Sequence, residues 1–210
     1  MTTVLLHGLG QGPESWAPVA RELEGDVLRP DLFAPVRGGT ADYRAVYRAF
    51  AGYCGELEGP LRLCGLSLGG MLALQYAAER PDRVEALALI GTQYVMPRRL
   101  LRLQNAAFRL LPGRAFRGMG LSREGVIGLA NSMLDLDFRE DLGTISCPAL
   151  VLCGERDRAN RKAALGLREG IPGAELGWIP GAGHEVNTDA PEALAEALRR
   201  FFRRAGQARL

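Results

Sequence analysis

The chain holds only two histidines, His7 and His184, so chemistry that needs an imidazole has two candidates. Ser67 stands in GLSLGG, flanked at two-residue spacing by Gly65 and Gly69 and followed by Gly70. With five serines and 27 glycines in 210 residues, chance supplies about 0.08 matches to G-x-S-x-G. A serine hydroxyl is a poor nucleophile until a base takes its proton. Where such a serine sits on a strand-to-helix elbow, its partners follow in the order Asp or Glu, then His. Only His184, in GAGHEV, lies downstream of Ser67, so it is the expected base. Between them LVLCGERD ends an apolar run, and Asp157, three residues past Gly154, is the expected acid. Glu155 competes locally but sits closer to the run. The other position open to an acid, after Ala86–Ile90, reads GTQYVM and has no carboxylate.

Each residue also has an unremarkable reading. Serine and aspartate are favoured helix caps, and a single histidine is often a surface residue. The order and the context favour a Ser67–Asp157–His184 triad. His7, in LLHGLGQG, reads as a structural residue that shapes its loop. Negative charge developing on a substrate oxygen needs two backbone donors. Leu68 N–H, next after the nucleophile, and Leu9 N–H, in the HGLG loop, are the expected pair.

The elements that must position these residues alternate along the chain. Short apolar runs at Val4–Leu6, Asp26–Arg29, Leu61–Cys64, Ala86–Ile90, Ala149–Cys153 and Leu176–Ile179 read as strands. Helical patterns fall between them at Ser15–Leu23, Thr40–Glu58, Leu68–Arg80, Ala159–Glu169 and Pro191–Arg204. Asp189, with Glu192 three residues on, is the expected N-cap of the last helix. The alternation predicts one α/β domain over residues 1–210, with a mostly parallel sheet of about six strands covered on both faces. Gly91 to Ser146 carries no strand signal. Within it, residues 93–142 are expected to form a helical cap, because long insertions in compact folds are usually functional.

Composition narrows the partners. The chain is 47% apolar and 24% charged, with a net charge of +2 and Lys162 as its one lysine, which gives no footprint for nucleic acid. No apolar run approaches the roughly 18 residues of a membrane helix, and MTTVLLHG lacks the features of a signal peptide. The expectation is a cytoplasmic protein with no stable membrane insertion. Cys54, Cys64, Cys147 and Cys153 form no C-x-x-C pair and read as small buried hydrophobes. No metal and no cofactor are expected. From Gln93 to Arg123 there are seven arginines and no carboxylate. Arg98, Arg102, Asn105 and Arg109 share one helical stripe, and Leu100, Leu103, Ala107 and Leu110 share another. A solvated basic face is the favoured reading, and recognition of an anionic substrate is the alternative.

In this order the blocks HGLGQGPESW, GLSLGG, LCGERD and GAGHEVNTDAPEAL resemble the oxyanion, nucleophile, acid and base blocks of the α/β-hydrolase superfamily. The resemblance covers nearly the whole chain, with Gln93–Leu142 the least alike. It implies a cofactor-free serine hydrolase working through an acyl-enzyme, and the expected cap, by limiting access, predicts small to medium carboxylic esters as substrates. Alternatives on the same frame are a thioesterase, a lyase acting on an anionic substrate, and a binding protein that retains the triad. The chain departs from the family in two places. It enters the first strand directly, where relatives usually carry one or two strands more, and RPDLFAPVRGGT replaces a D-x-P-G-x-G-like turn. Serine at 67 separates it from relatives resembling epoxide hydrolases and haloalkane dehalogenases, which use aspartate there.

Overall fold

A computed structural model of the chain describes residues 1–39, 41–98, 101, 106, 116 and 120–207. Six strands, β1 (Thr2–Leu6), β2 (Asp26–Leu28), β3 (Leu61–Leu66), β4 (Val84–Ile90), β5 (Ala149–Gly154) and β6 (Glu175–Ile179), form one sheet. Its order is β2-β1-β3-β4-β5-β6, and every pair is parallel. All six expected strands are present, each within a few residues of its expected ends.

The central strands bury both faces, which is why they read as continuous apolar runs. In β1, Val4 and Leu6 enter one core while Leu5 enters the other. In β4, Val84, Leu87 and Leu89 face one side and Ala86, Ala88 and Ile90 the opposite side. The first core is closed by α2 (Tyr43–Glu56) and α3 (Leu68–Glu79), which contribute Val46, Phe50, Leu72 and Tyr76. The second is closed by α1 (Ala17–Ala20), where Val19 is buried, and by α7 (Pro191–Gln207), whose Leu194, Leu198, Phe201 and Phe202 form its apolar face. Further helices among the described residues are α4 (Arg123–Ser132), α5 (Arg161–Gly170) and α6 (Val186–Asp189).

Two local expectations change. The helix expected over Ser15–Leu23 is a single 3₁₀ turn, Pro13–Trp16, followed by the four residues of α1. Asp189 does not cap the last helix. It closes α6, and its carboxylate accepts the Gly183 N–H at 2.7 Å, so it braces the preceding loop instead. Asp42 does cap α2, accepting the Ala45 N–H at 2.7 Å.

Parallel strands place all their carboxyl ends on one edge. The strand order reverses between β1 and β3, because the chain runs outward from β1 to β2 and then back across to β3. Loops part at such a point and leave a crevice beyond the strand ends.

Candidate active site

Ser67 occupies the turn between β3 and α3 with φ 53° and ψ −112°, and among the described residues it alone has positive φ without being glycine. An L-residue held there carries backbone strain, which the surroundings must enforce. They do so by close packing. A Cβ at Gly65 would lie 2.3 Å from the Gly69 carbonyl, and one at Gly69 would lie 2.3 Å from the Leu6 carbonyl oxygen. One at Gly70 would lie 2.0 Å from Thr92 Oγ1. The three glycines are therefore required by sterics, and each faces a different neighbour of the elbow. Ser67 N–H donates to the Ile90 carbonyl at 2.9 Å, which ties the turn to β4. The serine stands at the cap position of α3, yet its side chain makes no capping hydrogen bond. Among the described residues its hydroxyl makes no hydrogen bond, to His184 included.

Two more of the expected site residues come from two further strand ends. Asp157 follows β5 and is buried, and His184 follows β6 with its side chain 43% exposed. His184 Nδ1 lies 2.8 Å from Asp157 Oδ2. The carboxylate can only accept, so Nδ1 carries a proton. Asp157 also accepts from Asn160: the side-chain amide reaches Oδ1 at 3.0 Å and Oδ2 at 2.8 Å, and the backbone N–H reaches Oδ1 at 3.2 Å. Burial alone would raise the Asp157 pKa, but the hydrogen bonds from His184 and Asn160 and the imidazole's charge outweigh it and hold the carboxyl below its ordinary value. Glu155 points elsewhere. Its carboxylate accepts the Gly181 N–H at 3.2 Å, which steadies the loop that carries His184.

Gly91, at the end of β4, forms the wall behind this pair. It has φ 53°, and a Cβ there would lie 3.0 Å from His184 Nδ1 and 3.4 Å from Asp157 Oδ2. Gly154 fits equally closely under the histidine loop, since a Cβ would lie 2.1 Å from the Gly183 carbonyl oxygen.

The HGLG loop completes the enclosure. His7 is fully buried; its Nδ1–H donates to the Gly8 carbonyl at 3.0 Å and its Nε2 accepts the Leu32 N–H at 3.1 Å. Burial is the largest influence on His7 and lowers its pKa, keeping it neutral. It shapes the loop, as its position after β1 suggested. Farther on, Gln11 and Asn187 exchange side-chain amide hydrogen bonds at 3.1 and 3.2 Å, joining this loop to α6 just after His184. Leu68 N–H opens α3, so no carbonyl one turn back can accept it.

Ser67, Leu68, Leu9, Asp157 and His184 all line one cavity of about 340 Å³. Its apolar lining comes from Met96, Leu101, Val126, Ala130 and Met133, while Gln93 and Asn160 add polar groups beside Asp157. Reading the sequence missed Asn160, Gln93 and Gly91. An asparagine directly before a helix signals a cap, and the other two follow β4, where only a carboxylate was sought. Of the arginine stripe, Arg98 is exposed and pairs with Asp135 at 2.7 Å. Arg102, Asn105 and Arg109, with Leu100, Leu103, Ala107 and Leu110, lie outside the described residues. Among the described residues no cluster of three or more His, Cys, Asp or Glu is placed to hold a metal ion. No described helix is long and apolar enough to cross a membrane.

Residues 3–197 match the model of the Alpha/beta hydrolase family, and the chain belongs to that family. It is 36% identical to the pimeloyl-(acyl-carrier protein) methyl ester esterase of Aromatoleum aromaticum across 50% of this chain and 41% of that protein. A protein of the same description from Chromobacterium violaceum is 28% identical across 93% of both chains. Among solved structures, a thermophilic esterase from Thermogutta terrifontis with malate bound superposes with a TM-score of 0.78 at 26% identity, covering 98% of this chain and 90% of that one.

Proposed function

We propose that this family member cleaves small to medium carboxylic esters with Ser67 as nucleophile, His184 as general base and Asp157 as the acid that orients it. One observation carries the reading: the 2.8 Å His184–Asp157 contact opens into the same cavity as a serine held on a strained turn with an uncommitted hydroxyl. The family and the esterases similar to this chain support an ester-hydrolysing enzyme.

In the first half-reaction His184 Nε2 takes the Ser67 proton as the oxygen attacks the ester carbonyl. The carbonyl oxygen becomes an oxyanion held by Leu9 and Leu68 N–H, and the positive end of α3 adds to that field. Asp157 stabilises the imidazolium. The imidazolium then returns its proton to the departing alkoxide, leaving an acyl group on Ser67. Water enters, loses a proton to the same nitrogen, and releases the acid while Ser67 regains its hydrogen. The apolar wall of Met96, Val126 and Met133 suits a hydrocarbon portion of the substrate. We assign residues 93–142 the role of a cap that limits its size.

The test is turnover of an ester series of increasing acyl length, with matched thioesters. Turnover of the oxoesters and a fall of about 10⁵–10⁶ in kcat on Ser67→Ala are expected. Full activity in that variant contradicts the assignment, and a strong preference for the thioesters replaces esterase with thioesterase.

A further inference from the structure

Asn160 stands directly before α5, where an asparagine ordinarily turns its side-chain oxygen onto the first free N–H groups of the helix. Here it makes no such bond. The amide turns away from the helix, and its Nδ2 donates to both oxygens of Asp157 at 3.0 and 2.8 Å. Its Oδ1 accepts from Gln93 Nε2 at 2.7 Å, which fixes which end of the amide faces the carboxylate. Asn160 is buried, and both amides line the cavity beside His184. His184 Nδ1 also lies 3.1 Å from Asn160 Nδ2, two donors converging on one carboxylate.

We infer that Asn160, oriented by Gln93, is a positioning residue of the acid–base pair: it fixes the Asp157 carboxylate and sets how strongly that carboxylate holds the His184 proton. The inference rests on the triad reading above and adds a member that acts only through Asp157. A carboxylate that already accepts two amide hydrogens has part of its charge satisfied, so it stabilises the imidazolium less. Groups facing the carboxylate from other elements are His184 and the backbone of Gly91. The buried Cys153 thiol reaches the Asp157 backbone carbonyl, 3.7 Å away, and not the carboxylate. Among the described residues no other charged side chain hydrogen-bonds to it.

The signs follow. Removing the amide donors makes Asp157 more basic, stabilises protonated His184, and moves the acid limb of kcat/KM to higher pH. The experiment is a pH–rate profile for the wild type, Asn160→Leu and Asn160→Asp. Active enzyme is counted in each sample by stoichiometric fluorophosphonate labelling. Asn160→Asp keeps the shape and the helix-start preference while replacing donors with a second carboxylate, so it tests the idea if the leucine variant does not fold. Asn160→Leu is expected to lose about ten- to a hundredfold in kcat per labelled site. Its acid limb is expected to rise by about half to one pH unit, and that of Asn160→Asp by more. Unchanged limbs in both variants, whatever happens to kcat, overturn the inference. Failure of the underlying triad looks different: the wild type then neither labels at Ser67 nor loses turnover on Ser67→Ala.

Discussion

The two halves of the site are built by different means. Around Ser67 the structure is steric: Gly65, Gly69 and Gly70 let backbone and side chains approach to distances that exclude any Cβ, and the serine side chain caps nothing. Around His184 it is polar: Asp157, Asn160 and Gln93 are joined by hydrogen bonds of 2.7 to 3.2 Å, and the imidazole is partly open to the cavity. The half that holds Ser67, the proposed nucleophile, sits where β1, β3 and β4 pack together, so its geometry is inseparable from that of the sheet. The proposed acid–base half hangs on loops beyond β5 and β6, where side chains can be altered with less disturbance of the core. Errors in the first half should unfold the protein; errors in the second should leave it folded and slow.

Two glycines test that division. Gly69→Ala drives a methyl group into the Leu6 carbonyl, whose position is fixed by β1. The expected cost is about 3 kcal/mol or more, which lowers the melting temperature by about 6–12 °C. Thermal denaturation followed by circular dichroism measures it, and an unchanged melting temperature would mean the elbow is not sterically locked. Gly91→Ala is expected to act in the opposite sense. The added Cβ meets the edge of the His184 ring at 3.0 Å, and that ring can move. Activity should fall about ten- to a hundredfold, while the positive φ costs about 1–2 kcal/mol of stability. If the second variant loses more stability than the first, the distinction between the halves is wrong.

The same division explains what the sequence made legible. Close packing leaves a written record, because nothing but glycine fits, and G-x-S-x-G with a following glycine, set between an apolar run and a helical pattern, marks the elbow. Chain order then singles out His184 and Asp157, since each lies just beyond an apolar run that becomes a strand. The sheet was legible for a related reason: strands buried on both faces have no polar alternation to obscure them. Hydrogen-bonded support leaves a weaker record. Asn160 looks like a helix cap, and its partner Gln93 is 67 residues away in sequence, brought near only by the β4–β5 pairing. Asp189 carried a sound capping signal one residue too early, and the fold used its carboxylate to hold Gly183. Thr2 and Thr3 extend β1 beyond its apolar run because the ladder with β3 begins there.

If Ser67 is an activated nucleophile, a fluorophosphonate will label it. Intact mass is measured after exposure to a fluorophosphonate, for the wild type and for Ser67→Ala. One adduct per chain is expected in the wild type and none in the variant. A folded wild type that takes up no adduct, or a variant that still does, would contradict that role for Ser67.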